Sequence, residues 1–166
     1  MITVLRLGHR PFRDKRITTH VCLVARALGA QKILIEGKDL KLKKNIEKIV
    51  ENWGGEFEVE FCRSPMKIIE NFQGVVVHLT MYGLPFKDKI DDLKDKKLLV
   101  VVGSEKVFPE IFKVSDHNLS VSNQPHSEVS SLAIFLYELG GRVLDRRFKN
   151  AKLKILPSER KKLFEV

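Results

Sequence analysis

The spacing of apolar residues changes repeatedly along the chain, and each change marks an element. Ile2–Leu7 is a short, mostly apolar run ending at Gly8, which predicts a strand. Ile17, Val21, Val24 and Leu28 then recur at helical spacing, with Gly29 placed to close the helix. Lys32–Ile35 predicts a second strand. Asp39 is positioned to cap a helix whose stripe of Leu42, Ile46, Ile49, Val50 and Trp53 stops at Gly54-Gly55. Phe57–Phe61 alternates as a strand does. Ser64-Pro65 opens a short helix through Ile68 and Ile69, with the proline tolerated in the first turn. Val75–Leu79 and Leu98–Val102 are continuous apolar runs, typical of strands buried on both faces of a parallel sheet. Leu119–Val121 predicts a shorter strand, and SNQPHSEVSSLAIFLYEL (residues 122–139) runs from polar residues into an amphipathic helix. The alternation predicts an α/β domain with a mostly parallel sheet and helices on both faces. No repeat or low-complexity linker interrupts it. After Gly141 the pattern differs: Ala151, Leu153 and Ile155 alternate with Lys152 and Lys154 before Pro157 turns the chain. Residues 1–141 therefore read as one domain and 142–166 as a basic extension, an exposed strand or hairpin.

Composition narrows the class. At 166 residues, 43% hydrophobic and 31% charged, the chain has the makings of one globular domain with a real core. No apolar run approaches the ~20 residues of a membrane span. MITVLRLGHR has no signal-peptide architecture, so the expected location is cytoplasmic, with no membrane partner. Cys22 and Cys62 stand in no metal spacing and read as buried free thiols, and His9, His20, His78, His117 and His126 show no ligand pattern either. No metal is expected. The net charge of +9 is uneven: residues 1–20 hold five Lys/Arg against one acid, and residues 142–166 hold nine against three. Residues 21–141 hold 16 against 17 and are close to neutral. Positive ends on a neutral middle suit an anionic polymer. Arg10, Arg13, Arg146, Arg147, Lys152 and Lys154 are the candidate RNA contacts.

Ligands of open α/β sheets bind beyond the carboxyl ends of the strands. Three stretches fall there: VVVHLTMYGLP, VVGSEKV and LSVSNQPHSEV. No glycines are spaced G-x-G and no G-K-[ST] occurs, so both usual phosphate cradles are missing and a phosphate-poor ligand is expected. Residues 123–128 place Asn, Gln, His, Ser and Glu before a helix that needs one capping side chain. The surplus suggests a ligand site.

The segments LRLGHRPFRDKRITTHVCLVARALGA, VVVHLTMYGLP, VVGSEKV and SNQPHSEVSSLAIFLYEL, in this order, resemble the archaeal tRNA cytidine-56 2′-O-methyltransferase family of the SPOUT class. The resemblance spans Leu5 to about Leu139. It implies a trefoil-knotted C-terminal half, a homodimer, tRNA as substrate and S-adenosylmethionine as cofactor. It places the cofactor at Leu79, Thr80 and Leu84, at Gly103, Ser104, Glu105, Lys106 and Val107, and at Val121, Ser122, Asn123, Gln124, Pro125, His126, Ser127 and Glu128. The wider SpoU-like pattern has an arginine where this chain has Leu23, and an asparagine where it has Ser127. Arg13, Arg16 and Arg26 are the remaining candidates for the catalytic arginine, and Arg16 is preferred for its place at the helix start. His20 is the better base on intrinsic pKa. Two further readings are a SPOUT enzyme acting on another RNA site and a knotted RNA-binding protein without catalysis.

Overall fold

The computed structural model describes residues 1–103, 108–140 and 147–165. Six strands form the main sheet: β1 (Ile2–Arg6), β2 (Lys32–Glu36), β3 (Glu58–Cys62), β4 (Val75–Pro85), β5 (Leu98–Val102) and β6 (His117–Ser120). Their order is β3-β2-β1-β5-β4-β6, and every neighbouring pair is parallel. The chain builds outward from β1 in one direction through β2 and β3, then fills the other side. The order therefore reverses between β1 and β5, the kind of crevice where ligands of such sheets collect.

Among the described residues six α-helices pack on the sheet: α1 (Lys15–Ala27), α2 (Leu40–Trp53), α3 (Pro65–Glu70), α4 (Ile90–Leu93), α5 (Pro109–Val114) and α6 (Glu128–Gly140). Alternate strand residues feed two cores. Val4, Ile33, Ile35, Val77, Val100 and Val102 meet α1, α2, α4 and α6 through Val21, Leu42, Leu93 and Phe135. Leu5, Val76, Leu99 and Val101 face the short α3 and α5 through Ile69 and Ile111. All five residues of β5 are buried, as a strand covered on both faces requires. Asp39 caps α2, its side chain accepting the Leu42 N–H at 2.9 Å. Cys22 and Cys62 are buried free thiols, and burial pushes the Cys22 thiol up to about 12.

The structure differs from the sequence pattern in two places that shape the site. The LTMYGLP stretch, expected as a loop after a strand ending at Leu79, is the second half of β4. Its pairing with β6 slips between Leu79 and Leu84 and resumes at Leu84 and Pro85. A Cβ on Gly83 would lie 2.6 Å from the Asn118 carbonyl oxygen, so only glycine lets this irregular segment lie so close to β6. The sixth strand starts at His117 rather than Leu119, because His117 and Asn118 pair with Val77 and His78. Neither α4 nor α5 is legible in the pattern, since four and six residues are too few to show a helical period.

Beyond α6, β7 (Lys154–Leu156) and β8 (Leu163–Glu165) form an antiparallel hairpin. The segment before it docks on the end of α2: the Gly55 N–H donates to Lys149 O, and the Lys152 and Leu153 N–H groups share Asn52 O. The Arg26 guanidinium lies 4.4 Å above the Phe148 ring and donates to Gly54 O at 2.5 Å. Gly54 has φ +74° and no room for a side chain against Lys149 and Ala151.

Candidate active site

The carboxyl ends of β1 and β5 meet the start of α6 at a buried arginine that the sequence pattern did not announce. Arg6, the last residue of β1, is 1% exposed. Its guanidinium donates to the Gly103 carbonyl and lies 3.0 Å from a Glu128 carboxylate oxygen. Burial pulls the Arg6 pKa below its ordinary range, while Glu128 and then Asp14 pull it back up. One buried cation thus fixes the residue that follows β5 to the first residue of α6. Nothing in LRLG distinguishes Arg6 from a surface arginine, so the sequence gives no signal for it. Glu128, expected at the cofactor, turns its carboxylate to Arg6.

The polar run before α6 is organised by its own side chains. The Asn123 amide donates to Met81 O at 2.6 Å, Gly83 O at 3.1 Å and Ser120 Oγ at 3.2 Å. Asn123 therefore ties this loop to the irregular half of β4, which explains one of the surplus polar residues without a ligand. The His126 ring nitrogen Nδ1 lies 2.6 Å from Gln124 O, so it carries the proton and donates. Ser127 Oγ accepts the Val129 N–H at 3.1 Å and caps the helix start. Ser122, Gln124 and Pro125 face solvent, Thr80 and Val121 are half-buried, and Leu84 is exposed. Leu79 is buried in the core, so only its peptide groups are available to a ligand. Ser104, Glu105, Lys106 and Val107 lie outside the described residues.

These walls fit S-adenosylmethionine in kind. Leu84 and Val121 supply apolar surface, and the backbone N–H groups of Asn123 and His126 have no partner among the described residues. Open peptide groups beside exposed apolar side chains suit an adenine ring that lacks a phosphate. No group of three or more His, Cys, Asp or Glu suited to a metal occurs among the described residues.

A second network anchors the loop between β1 and α1. The Gly8 N–H donates to Glu36 at 2.6 Å. Buried His9 sits 2.8 Å from Thr18 Oγ1 and 3.4 Å from Asp39. Arg10 holds Asp14 through Nε at 2.8 Å, and that hydrogen bond, the largest influence, lowers the Asp14 pKa against the opposing effect of burial. Arg16 and His20 stand four residues apart on α1 and both are exposed, so a substrate can reach them. Arg26 is engaged by Gly54 and Phe148, which leaves it no role at the site. Arg10 and Arg13 are exposed on the same loop. In the tail, Lys152 pairs with Glu51 and Lys154 lies 3.7 Å from Glu165. Arg147 is exposed, and Arg146 lies outside the described residues.

The six-stranded sheet has the SPOUT fold of the SpoU methyltransferases. It superposes on the SpoU methyltransferase AviRb from Streptomyces viridochromogenes, crystallised in complex with AdoMet, with a TM-score of 0.63 at 14% identity over 89% of this chain. The chain spans 59% of that protein's length. The family model described as tRNA ribose 2′-O-methyltransferase, aTrm56, matches residues 53–165. Two curated relatives carry the name tRNA (cytidine(56)-2′-O)-methyltransferase. The Pyrococcus abyssi protein is 53% identical over 98% of this chain and 86% of its own length. The Thermococcus kodakarensis protein is 54% identical, over 98% and 95%. This chain belongs to the aTrm56 family of tRNA ribose 2′-O-methyltransferases.

Proposed function

We propose that the chain methylates the ribose 2′-hydroxyl of cytidine 56 of tRNA. The observation that carries this reading is the family match across residues 53–165, together with relatives of that name that align along nearly the whole chain. S-adenosylmethionine, when bound, supplies a methyl group on a positively charged sulfur, a leaving group that needs no further activation. Peptide groups at Leu79, Thr80, Gly103 and residues 121–127 would hold it, between a wall tied by Asn123 and a floor fixed by Arg6. The stretch 104–107, Ser104, Glu105, Lys106 and Val107, belongs to the same expected site. The trefoil knot, a homodimer and a cytoplasmic location belong to this reading as well.

What remains for the protein is to place the ribose and remove a proton. Placement is worth several kcal/mol when it replaces a chance encounter. Arg16, exposed in the first turn of α1, can grip a backbone phosphate through two parallel N–H bonds and so fix the sugar. His20, four residues on, is the side chain that takes the 2′-hydroxyl proton. Arg10, Arg13, Arg146, Arg147, Lys152 and Lys154 extend the phosphate-binding surface. The discriminating change is Arg16→Lys, which keeps the charge and loses the fork. It should lower turnover on tRNA at least about tenfold, ~1.4 kcal/mol of transition-state stabilisation, with S-adenosylmethionine affinity unchanged by calorimetry. His20→Ala should lower turnover on tRNA with S-adenosylmethionine affinity unchanged. Full activity in Arg16→Lys contradicts the clamp and moves it to Arg13.

A further inference from the structure

A cavity of about 200 Å³ opens beyond the carboxyl ends of β1, β2 and β3, on the side of the crossover point away from α6. Leu7 and Met66 form apolar walls, Phe108, 68% exposed, stands at the rim, and Glu36 and Arg63 contribute charge. Three consecutive strands supply it: Leu7 follows β1, Glu36 ends β2 and Arg63 follows β3. One Glu36 oxygen accepts the Gly8 N–H at 2.6 Å, which aims the carboxylate, and its second oxygen has no partner among the described residues. Arg63 is exposed and makes no ion pair among the described residues. One wall of the cavity, Phe108 and Ile111, follows directly in the chain on the 103–107 stretch expected at the cofactor.

A carboxylate only accepts hydrogen bonds and a guanidinium only donates them. A ligand that spans the two must offer a donor beside an acceptor on one edge, and the apolar walls with an aromatic rim call for a flat ring. An unstacked base read on its pairing edge and stacked on an aromatic side chain meets that description. Given the proposed activity on cytidine, on which this step rests, we propose that the cavity receives the target base, Glu36 accepting from the exocyclic N4 amine and Arg63 donating to N3 and O2. Uracil would turn its O4 acceptor toward the Glu36 carboxylate. The cavity therefore selects cytidine over uridine, and Glu36 and Arg63 determine specificity for the base while Arg16 and His20 serve the ribose.

The test compares wild type, Glu36→Gln and Arg63→Met on tRNA transcripts carrying cytidine or uridine at the target position. Glu36→Gln keeps an oxygen for the Gly8 N–H and adds an amide donor that suits uracil O4. It should collapse the cytidine-to-uridine ratio of kcat/KM at least tenfold, with S-adenosylmethionine affinity by calorimetry unchanged. Arg63→Met should lower kcat/KM on cytidine at least tenfold, and as an exposed substitution it decides the matter even if Glu36→Gln folds poorly. Ratios and rates equal to wild type in both variants overturn the base pocket, as does an equal loss on both bases in Glu36→Gln. Absence of methyl transfer by the wild type to any tRNA position overturns the functional reading itself, and the pocket with it.

Discussion

Removing the charge from Glu128 tests whether Arg6 ties β1 to the start of α6. Glu128→Gln keeps the shape of the side chain and leaves a cation that is 1% exposed without its counter-ion. Removing one partner of a buried pair costs about 3–5 kcal/mol. Because the Glu128 side chain is 26% exposed, part of its charge is already screened, and the lower end, about 3 kcal/mol, applies. Arg6→Met removes the cation and leaves Glu128 with access to water. Its main loss is the donor to the Gly103 carbonyl, about 1–3 kcal/mol. The double variant Arg6→Met/Glu128→Gln leaves neither charge stranded. It should therefore be less destabilised than the sum of the two singles by at least about 1 kcal/mol. Urea unfolding with unchanged slope reads all three differences. The same variants should weaken S-adenosylmethionine binding, since Gly103 and Glu128 lose their common anchor. Additivity within about 0.5 kcal/mol would refute the argument, because uncoupled losses mean that the ion pair is not what holds these ends together.

Three further outcomes follow from other parts of the fold. His78 is buried, and burial lowers its pKa below the ordinary 6.5 although its hydrogen bond with Asn118 opposes this, so the folded state holds it neutral. Its contribution is complete above pH 6.5 and is lost as pH falls from there to the folded pKa. Stability should therefore decline by up to about 1.4 kcal/mol per pH unit in that window, and His78→Gln should flatten the decline in pH-dependent urea unfolding. Gly83→Ala places a Cβ 2.6 Å from backbone at Asn118 and should cost about 1–3 kcal/mol, with weaker cofactor binding because the Asn123 contact to Gly83 shifts; urea melts and calorimetry check both. In the tail, Arg147→Ala should flatten the salt dependence of tRNA binding by roughly 0.7–0.9 in log–log slope. Lys152→Ala should change it less, since Glu51 already pairs with that lysine.

How much of this was visible in the sequence depended on what each residue's neighbours are. The parallel sheet was legible because β4 and β5 carry apolar runs that no surface strand would have, and because glycine or a capping aspartate marks the ends of α1 and α2. The irregular half of β4 was not, since Thr80, Tyr82 and Gly83 look like a loop until Asn123 and β6 are brought against them. The polar run before α6 was singled out for its surplus of polar residues, and in the structure their chemistry divides: Ser127 caps, Asn123 ties strands and Glu128 faces Arg6. Arg6 was missed because burial of an arginine depends on partners 97 and 122 positions away. Glu36, which ends β2, and Arg63, which follows β3, had nothing local to mark them either. Periodicity reports which face of an element is buried. It does not report which strand ends the topology gathers.

The most direct measurement of the central claim is transfer of a labelled methyl group from S-adenosylmethionine to tRNA transcripts, followed by mapping of the modified nucleotide and its atom. The account predicts one methyl group per tRNA, on the ribose 2′-oxygen of cytidine 56, with no added metal. A methyl group on a base, or on the ribose of another nucleotide, would contradict it.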